Sequence, residues 1–175
     1  MFYYYICVLL EKCRKTADTM EMQSLNLPEY DIHVRDDDGR SVVFDVLRRK
    51  YVALTPEEWV RQHFVNYLIR YRHYPAGRIA NEVELRIGEK RLRCDSVVYD
   101  SRLRPQMVIE YKAPGVSLTR KVLDQVMDYN LLLHADYITI SNGLQHVCCM
   151  IDYEKRSQRF LEDIPTYDII NERTI

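Results

Sequence analysis

Residues 93–114, Arg93-Cys-Asp-Ser-Val-Val-Tyr-Asp-Ser-Arg-Leu-Arg-Pro-Gln-Met-Val-Ile-Glu-Tyr-Lys-Ala-Pro114, carry the reading of the fold. Leu92 to Tyr99 reads as one strand, the polar run Asp100-Ser-Arg-Leu-Arg-Pro105 as a turn, and Met107 to Lys112 as the next strand. Met107-Val-Ile109 is apolar without alternation, the pattern of a central strand covered on both faces. Side chains alternate along a strand, so Glu110 and Lys112 share a face. A carboxylate and a lysine on an otherwise apolar strand are costly to bury unless something compensates. A divalent metal shared with Asp95 on the neighbouring strand would offset that charge. Two carboxylates hold Mg²⁺ with few protein ligands and leave positions for water and a phosphate oxygen. The lysine beside them orients or deprotonates the attacking water and screens the charge that builds on the phosphate. The competing reading makes Asp95 a strand-end polar residue and Glu110 with Lys112 an exposed ladder. The apolar character of the strand argues against it, because it puts Glu110 in mid-sheet.

Upstream, Leu54-Thr-Pro-Glu-Glu-Trp59 opens a helix, with Thr55 as N-cap, Pro56 at the first helical position and Glu57 and Glu58 at the positive dipole end. Trp59, His63, Phe64, Tyr67, Leu68 and Tyr71 recur at helical spacing and predict one apolar stripe, ended by Tyr74-Pro-Ala-Gly77. His63 on that stripe reads as a core or interface residue. Ile79 to Ile87 predicts a strand with Val83, Leu85 and Ile87 on one face and Glu82, Glu84 and Arg86 on the other. Further upstream, Asp31–Arg35 and Ser41–Val46 flank Asp36-Asp-Asp-Gly39, a hairpin signal. Downstream, Ala113-Pro-Gly115 halts the Glu110 strand, and a second helix is predicted over 118–134 with Leu118, Val122, Val126 and Leu133 inward. Strands follow over Ala135–Ile140 and Gln145–Ile151, joined by Ser141-Asn-Gly143, and then a polar tail anchored by Phe160-Leu161.

No repeat, low-complexity tract or linker divides the chain, so residues 24–175 read as a single α/β (α+β) domain: a mixed central sheet flanked by helices, with an added N-terminal hairpin. Residues 1–23 read as an extension, with Met20 or Met22 as the true start. The apolar opening Met1–Leu10 is too short to span a bilayer and lacks the flanks of a signal peptide. The chain has 175 residues, 47% hydrophobic and 29% charged, a globular composition with a formal net charge of −1. That balance is uneven along the chain. Residues 61–121 hold 13 Lys/Arg against 6 Asp/Glu, and the remainder 12 against 20. A basic middle is the asymmetry expected where one face meets phosphate. Five cysteines without CxxC spacing exclude a zinc site of the paired type and a disulfide framework, and fit a reducing cytoplasm.

The run from Leu54-Thr-Pro-Glu-Glu-Trp-Val-Arg-Gln62 through Arg93-Cys-Asp-Ser-Val-Val-Tyr99 to Ile109-Glu-Tyr-Lys-Ala-Pro114 resembles the N-terminal nuclease domain of type I restriction enzyme motor subunits, in a stand-alone form. The resemblance implies a PD-(D/E)xK fold, Mg²⁺-dependent DNA cleavage with Mn²⁺ as a substitute, and DNA as partner. Carried over by motif, Asp95 and Glu110 would be metal ligands and Lys112 the catalytic lysine. Gln125-Val-Met-Asp-Tyr129 matches the family's Gln-x-x-x-Tyr motif, which implies that Gln125 and Tyr129 face the site and contact DNA. Glu58 is a further candidate ligand and Glu82 a weaker one; Arg93, Arg102, Arg104, Arg120 and Lys121 are candidate phosphate contacts by charge alone. No Gly-x-x-x-x-Gly-Lys-Ser/Thr string occurs, so no motor is expected within these residues. Duplex cleavage needs two cuts, so a homodimer or restriction-system partner proteins are expected, and no membrane. The alternative is a catalytically silent DNA-binding or assembly module of the same fold.

Overall fold

A computed structural model of the protein describes residues 22–172, so all but the last two residues of the expected 1–23 extension lie outside it. The chain begins with a three-stranded antiparallel meander: β1 (Val34–Asp37), β2 (Arg40–Asp45) and β3 (Lys50–Ala53). The expected Asp38-Gly39 turn joins β1 to β2 with both residues at positive φ, 53° and 79°, as a tight hairpin with right-twisted strands requires. The hairpin starts at Val34 rather than Asp31, and β3 was not expected; its Lys50-Tyr-Val-Ala53 segment is too short for periodicity to separate it from a loop.

Helix α1 (Pro56–Tyr71) starts as the sequence predicts. Thr55 is extended, and its hydroxyl accepts from the Glu58 backbone N–H at 3.1 Å. The buried face matches the predicted stripe in part, at His63, Phe64 and Leu68. Val60, Phe64, Val65 and Leu68 point inward, while Tyr71 is 51% exposed and Trp59 and Tyr67 are half-buried. Aromatic rings cover solvent-side surface here because the inward face also takes Glu58, Arg61 and Gln62. His63 is buried as expected, its Nδ1 2.9 Å from the Trp59 carbonyl and its ring against the indole. A short 3₁₀ turn (Ala76–Arg78) leads into the main sheet.

That sheet has six strands in sequence order: β4 (Ile79–Ile87), β5 (Lys90–Tyr99), β6 (Pro105–Tyr111), β7 (Tyr137–Ser141), β8 (His146–Asp152) and β9 (Ser157–Leu161). Every neighbouring pair is antiparallel except β6 and β7, which run parallel because helix α2 (Arg120–Leu133) crosses over between them. The fold is thus the expected mixed sheet flanked by helices. β6 and β7 are its most buried strands. On one face Val60, Phe64 and Leu68 of α1 pack on Met107, Ile109 and Tyr111; on the other Leu123, Val126 and Tyr129 of α2 pack on Val97, Val108 and Ile138. Of the inward set predicted for α2, only Val126 is fully buried; Leu118, Val122 and Leu133 lie at the margin of that core. The C-terminal tail is more structured than its polarity implies. Phe160 is 58% exposed on edge strand β9 and is no anchor; Ile164, Tyr167 and Ile170 are buried instead, the last two on α3 (Tyr167–Glu172). Cys148 and Cys149 are core residues. Among the described residues no helix is long and apolar enough to cross a membrane.

Gly143, in the β7–β8 turn, has φ +80°, and a Cβ there would meet Leu25 Cδ2 at 2.6 Å and Val60 Cγ2 at 3.1 Å. Gly143→Ala combines a left-handed backbone with a blocked approach, so equilibrium urea unfolding should show a loss of about 1–3 kcal/mol.

Candidate active site

The β5–β6 ladder ends at the pair Ser96↔Ile109. One step further, where Asp95 would fall opposite Glu110, the Tyr111 backbone N–H donates instead to Asp95 Oδ2 at 2.8 Å. A side-chain carboxylate has taken the place of a strand carbonyl, and the two strands part there. Glu110 is 5% exposed. Its Oε1 accepts from Lys112 Nζ at 2.8 Å and from Gln125 Nε2 at 3.3 Å. Lys112 is itself placed by the sheet, since its backbone N–H donates to the carbonyl of Ser141, the last residue of β7, at 2.9 Å. Asp95, Glu110 and Lys112 therefore line one cleft of about 700 Å³, with Glu58 and Arg93.

The electrostatics of these groups differ. Burial, and then the charge of Asp95, push the Glu110 carboxyl above the usual carboxylate range, against the pull of Lys112 and Arg61. Burial works against the charge on Lys112, yet its bond to Glu110 and the attraction of Glu110 and Asp95 raise it above the ordinary lysine value. The ammonium keeps its proton at neutral pH, which favours an orienting and charge-screening lysine over a deprotonating one.

At the centre lies a residue that sequence reasoning did not single out. Arg61 is 5% exposed. Its Nη1 donates to Glu58 Oε2 at 2.8 Å and to Glu82 Oε1 at 2.6 Å, and its Nη2 donates to Asp95 Oδ1 at 2.8 Å. Glu58 in turn accepts at Oε1 from Arg48 Nη2 and Gln62 Nε2, both at 2.7 Å. Arg48 is fixed by Asp45, a fully buried carboxylate on β2. Glu58, expected as a ligand, is thus placed as the anchor of two arginines, and would have to release Arg61 to reach a metal. Glu82 sits in β4 with φ +57°, a conformation unusual for a side-chain-bearing residue in a strand, and its Oε2 pairs with Arg93 Nε at 2.7 Å. The only sequence signal for Arg61 was its position three residues after Glu58, which puts the two on one helix face.

Gln125 and Tyr129 are one turn apart and bonded to each other, Nε2 to OH at 2.7 Å. Gln125 reaches the site through Glu110, and Tyr129 is buried, bonded to Gln125 and close enough to Lys112 to interact with its charge. Arg102, Arg104, Arg120 and Lys121 do not line the cleft; Arg104 pairs with Asp100 and Arg120 with Asp124. Among the described residues no group of three or more His, Cys, Asp or Glu is arranged to enclose a metal. The donor chemistry that does converge is a pair of hard carboxylates, Asp95 and Glu110, which fits a divalent ion that keeps most of its water.

A family model described as type I restriction enzyme R protein N terminus (HSDR_N) matches residues 56–165. The match runs from the first residue of α1 past the end of β9 and leaves the β1–β3 meander outside. A solved fragment described as an HsdR subunit of a type I restriction enzyme from Vibrio vulnificus YJ016 has a similar fold, with a TM-score of 0.51 and 20% identity over 69% of this chain. The chain spans 25% of the length of that structure. No curated protein matches in sequence.

Because folding raises the Glu110 pKa, its carboxyl contributes stability that is fully present below the unfolded value of about 4.3 and is lost as pH rises through the folded value. Metal-free Glu110→Gln keeps the acceptor for Lys112 and removes the buried charge. It should melt higher than the wild type at about pH 7 and lose that advantage near pH 4; equal melting temperatures at both would contradict the account.

Proposed function

The chain belongs to the type I restriction enzyme R protein N-terminus family, and from that premise we propose that it is a metal-dependent endonuclease domain hydrolysing the phosphodiester bonds of DNA. The observation that carries the proposal is the meeting of Asp95, Glu110 and Lys112 at the point where β5 and β6 part. Asp95 and Glu110 would hold Mg²⁺, or Mn²⁺ in its place, through hard oxygens. A bound divalent ion supplies Lewis acidity toward a phosphate oxygen and lowers the pKa of a coordinated water.

The protein's own groups do the rest. Lys112 presents a fixed positive charge beside Glu110, suited to orienting the attacking water and to balancing charge that develops on the phosphate. Arg61 and the Tyr111 N–H hold Asp95 by both oxygens, so this carboxylate does not have to be ordered when substrate arrives. Gln125 holds Glu110 from the helix side; its Nε2 donates to Glu110 and Tyr129, which leaves the Oε1 acceptor for a bridging water or a base amino group. Two such domains, as a homodimer or with restriction-system partners, would supply the two cuts of a duplex break.

One observation favours a second reading, a catalytically silent DNA-binding or assembly module: a cation, the Arg61 guanidinium, already sits on Asp95 Oδ1. Calorimetric titration with Mn²⁺ separates the two, since an intact site binds the ion and loses that binding in Asp95→Ala. For the nuclease reading, a plasmid assay should show nicking or cleavage with Mg²⁺ that EDTA abolishes. Lys112→Ala and Asp95→Ala should each lower the rate by about 10²-fold or more. A folded wild-type protein inactive with Mg²⁺ and Mn²⁺ on single-stranded, duplex and branched DNA would remove the proposal.

A further inference from the structure

One wall of the cleft comes from the β1–β3 meander, which lies outside the family-matched residues. The turn from β2 into β3 carries three consecutive basic residues, Arg48-Arg49-Lys50. The first is committed to structure. Arg48 is tied to Asp45 within the meander and to Glu58 of α1, with Glu82 of β4 at 3.7 Å, so it locks the meander against the cleft. Arg49 turns the chain at φ +52° and is exposed. Lys50 follows Arg48 by two residues and again lines the cleft.

Lys50 differs from every other cation there. Arg48, Arg61, Arg93 and Lys112 each hold a carboxylate at 2.8 Å or less. Lys50 makes no ion pair among the described residues. The cleft lining carries five cations against six carboxylates, so its own charge repels a phosphodiester until some positive charge is left uncommitted. A divalent ion would supply part of that charge at the floor. At the wall, Lys50 is the group free to supply it, and its backbone is fixed by the Arg48 lock.

We propose that the meander is the substrate-tracking wall of this site, with Lys50 contacting a phosphate of the DNA strand that flanks the scissile one. This rests on the nuclease reading above. A phosphate contact made by an ammonium is blind to base sequence and adds close to one released counterion. A rigid wall carrying such a contact selects for a strand running along the meander, which makes β1–β3 a substrate-binding element added in front of the catalytic sheet.

The test is fluorescence anisotropy of a labelled DNA duplex, with Ca²⁺ replacing Mg²⁺, titrated across salt concentrations for the full chain. Lys50→Ala should weaken binding for every sequence tried and lower the slope of log K against log salt by about one. Lys50→Arg should restore the slope, and Lys50→Glu should weaken binding further. Lys155→Ala, an exposed cation in the β8–β9 turn, should change nothing. In the cleavage assay Lys50→Ala should raise KM and leave kcat, Mn²⁺ affinity and melting temperature as they are. A wild-type slope in Lys50→Ala, with the wild type binding DNA, overturns the inference and leaves the nuclease reading standing. A wild type that binds Mn²⁺ but no DNA overturns both.

Discussion

Arg61 lies 5% exposed among carboxylates from α1, β4 and β5, within 2.8 Å of each. Acidic groups brought this close repel one another, and burial strengthens the repulsion by removing water. A planar guanidinium with several donors can satisfy three of them at once, which a lysine cannot do with the same geometry. Its own position is fixed in turn, because Glu58 also binds Arg48, and Arg48 binds the fully buried Asp45. The chain of charges therefore ties the meander, the first helix and the edge of the main sheet into one unit. The site still carries an unmet polar group. Arg61 Nε is buried without a hydrogen-bond partner among the described residues, and the guanidinium lies 5.5 Å from the Tyr111 ring centroid.

The backbone makes this arrangement possible by failing to complete its own pairing. β6 is hydrogen-bonded on both sides, antiparallel to β5 and parallel to β7. On the β7 side pairing continues through Lys112, whereas on the β5 side it stops at Ser96. The Tyr111 N–H would be stranded at that divergence without Asp95, so one carboxylate both repairs the ladder and faces the cleft. The strained Glu82 occurs at the same level of the sheet. β4 and β5 keep one register on either side of it, Asn81↔Ser96 and Val83↔Cys94, while Glu82 itself drops out of the ladder. The divergence and the strained residue coincide with the acidic cluster, which is where stored strain is expected if the site has work to do.

The main sheet was legible because β4 to β8 combine apolar runs with clear turn residues, and α1 because Thr55 and Pro56 mark its start. The Asp95, Glu110 and Lys112 set was legible because alternation on a strand fixes which side chains share a face. What was not legible depended on three-dimensional partners. Arg61 reads as an ordinary charged helix residue until Glu82 and Asp95, 21 and 34 residues away, are brought to it. The aromatic stripe on α1 misled at Trp59 and Tyr71, because the helix buries a polar cluster that displaces them outward. β3 and β9 are short and mostly exposed, so their pairing rests on neighbours rather than on their own pattern.

The two site carboxylates sit on opposite sides of one energetic contrast. Asp95 has both oxygens held by donors, a guanidinium and a backbone amide. Glu110 is more buried, and its affinity for a proton is raised by that burial and by Asp95. Neighbouring acids whose environments differ in this way divide labour: the one fully held keeps its position, and the other responds to a change in nearby positive charge. Lys112 has its proton secured by Glu110, so it offers charge and direction. On the proposed reading, a divalent ion held by Asp95 and Glu110 would offset the burial and the like-charge repulsion that press on Glu110.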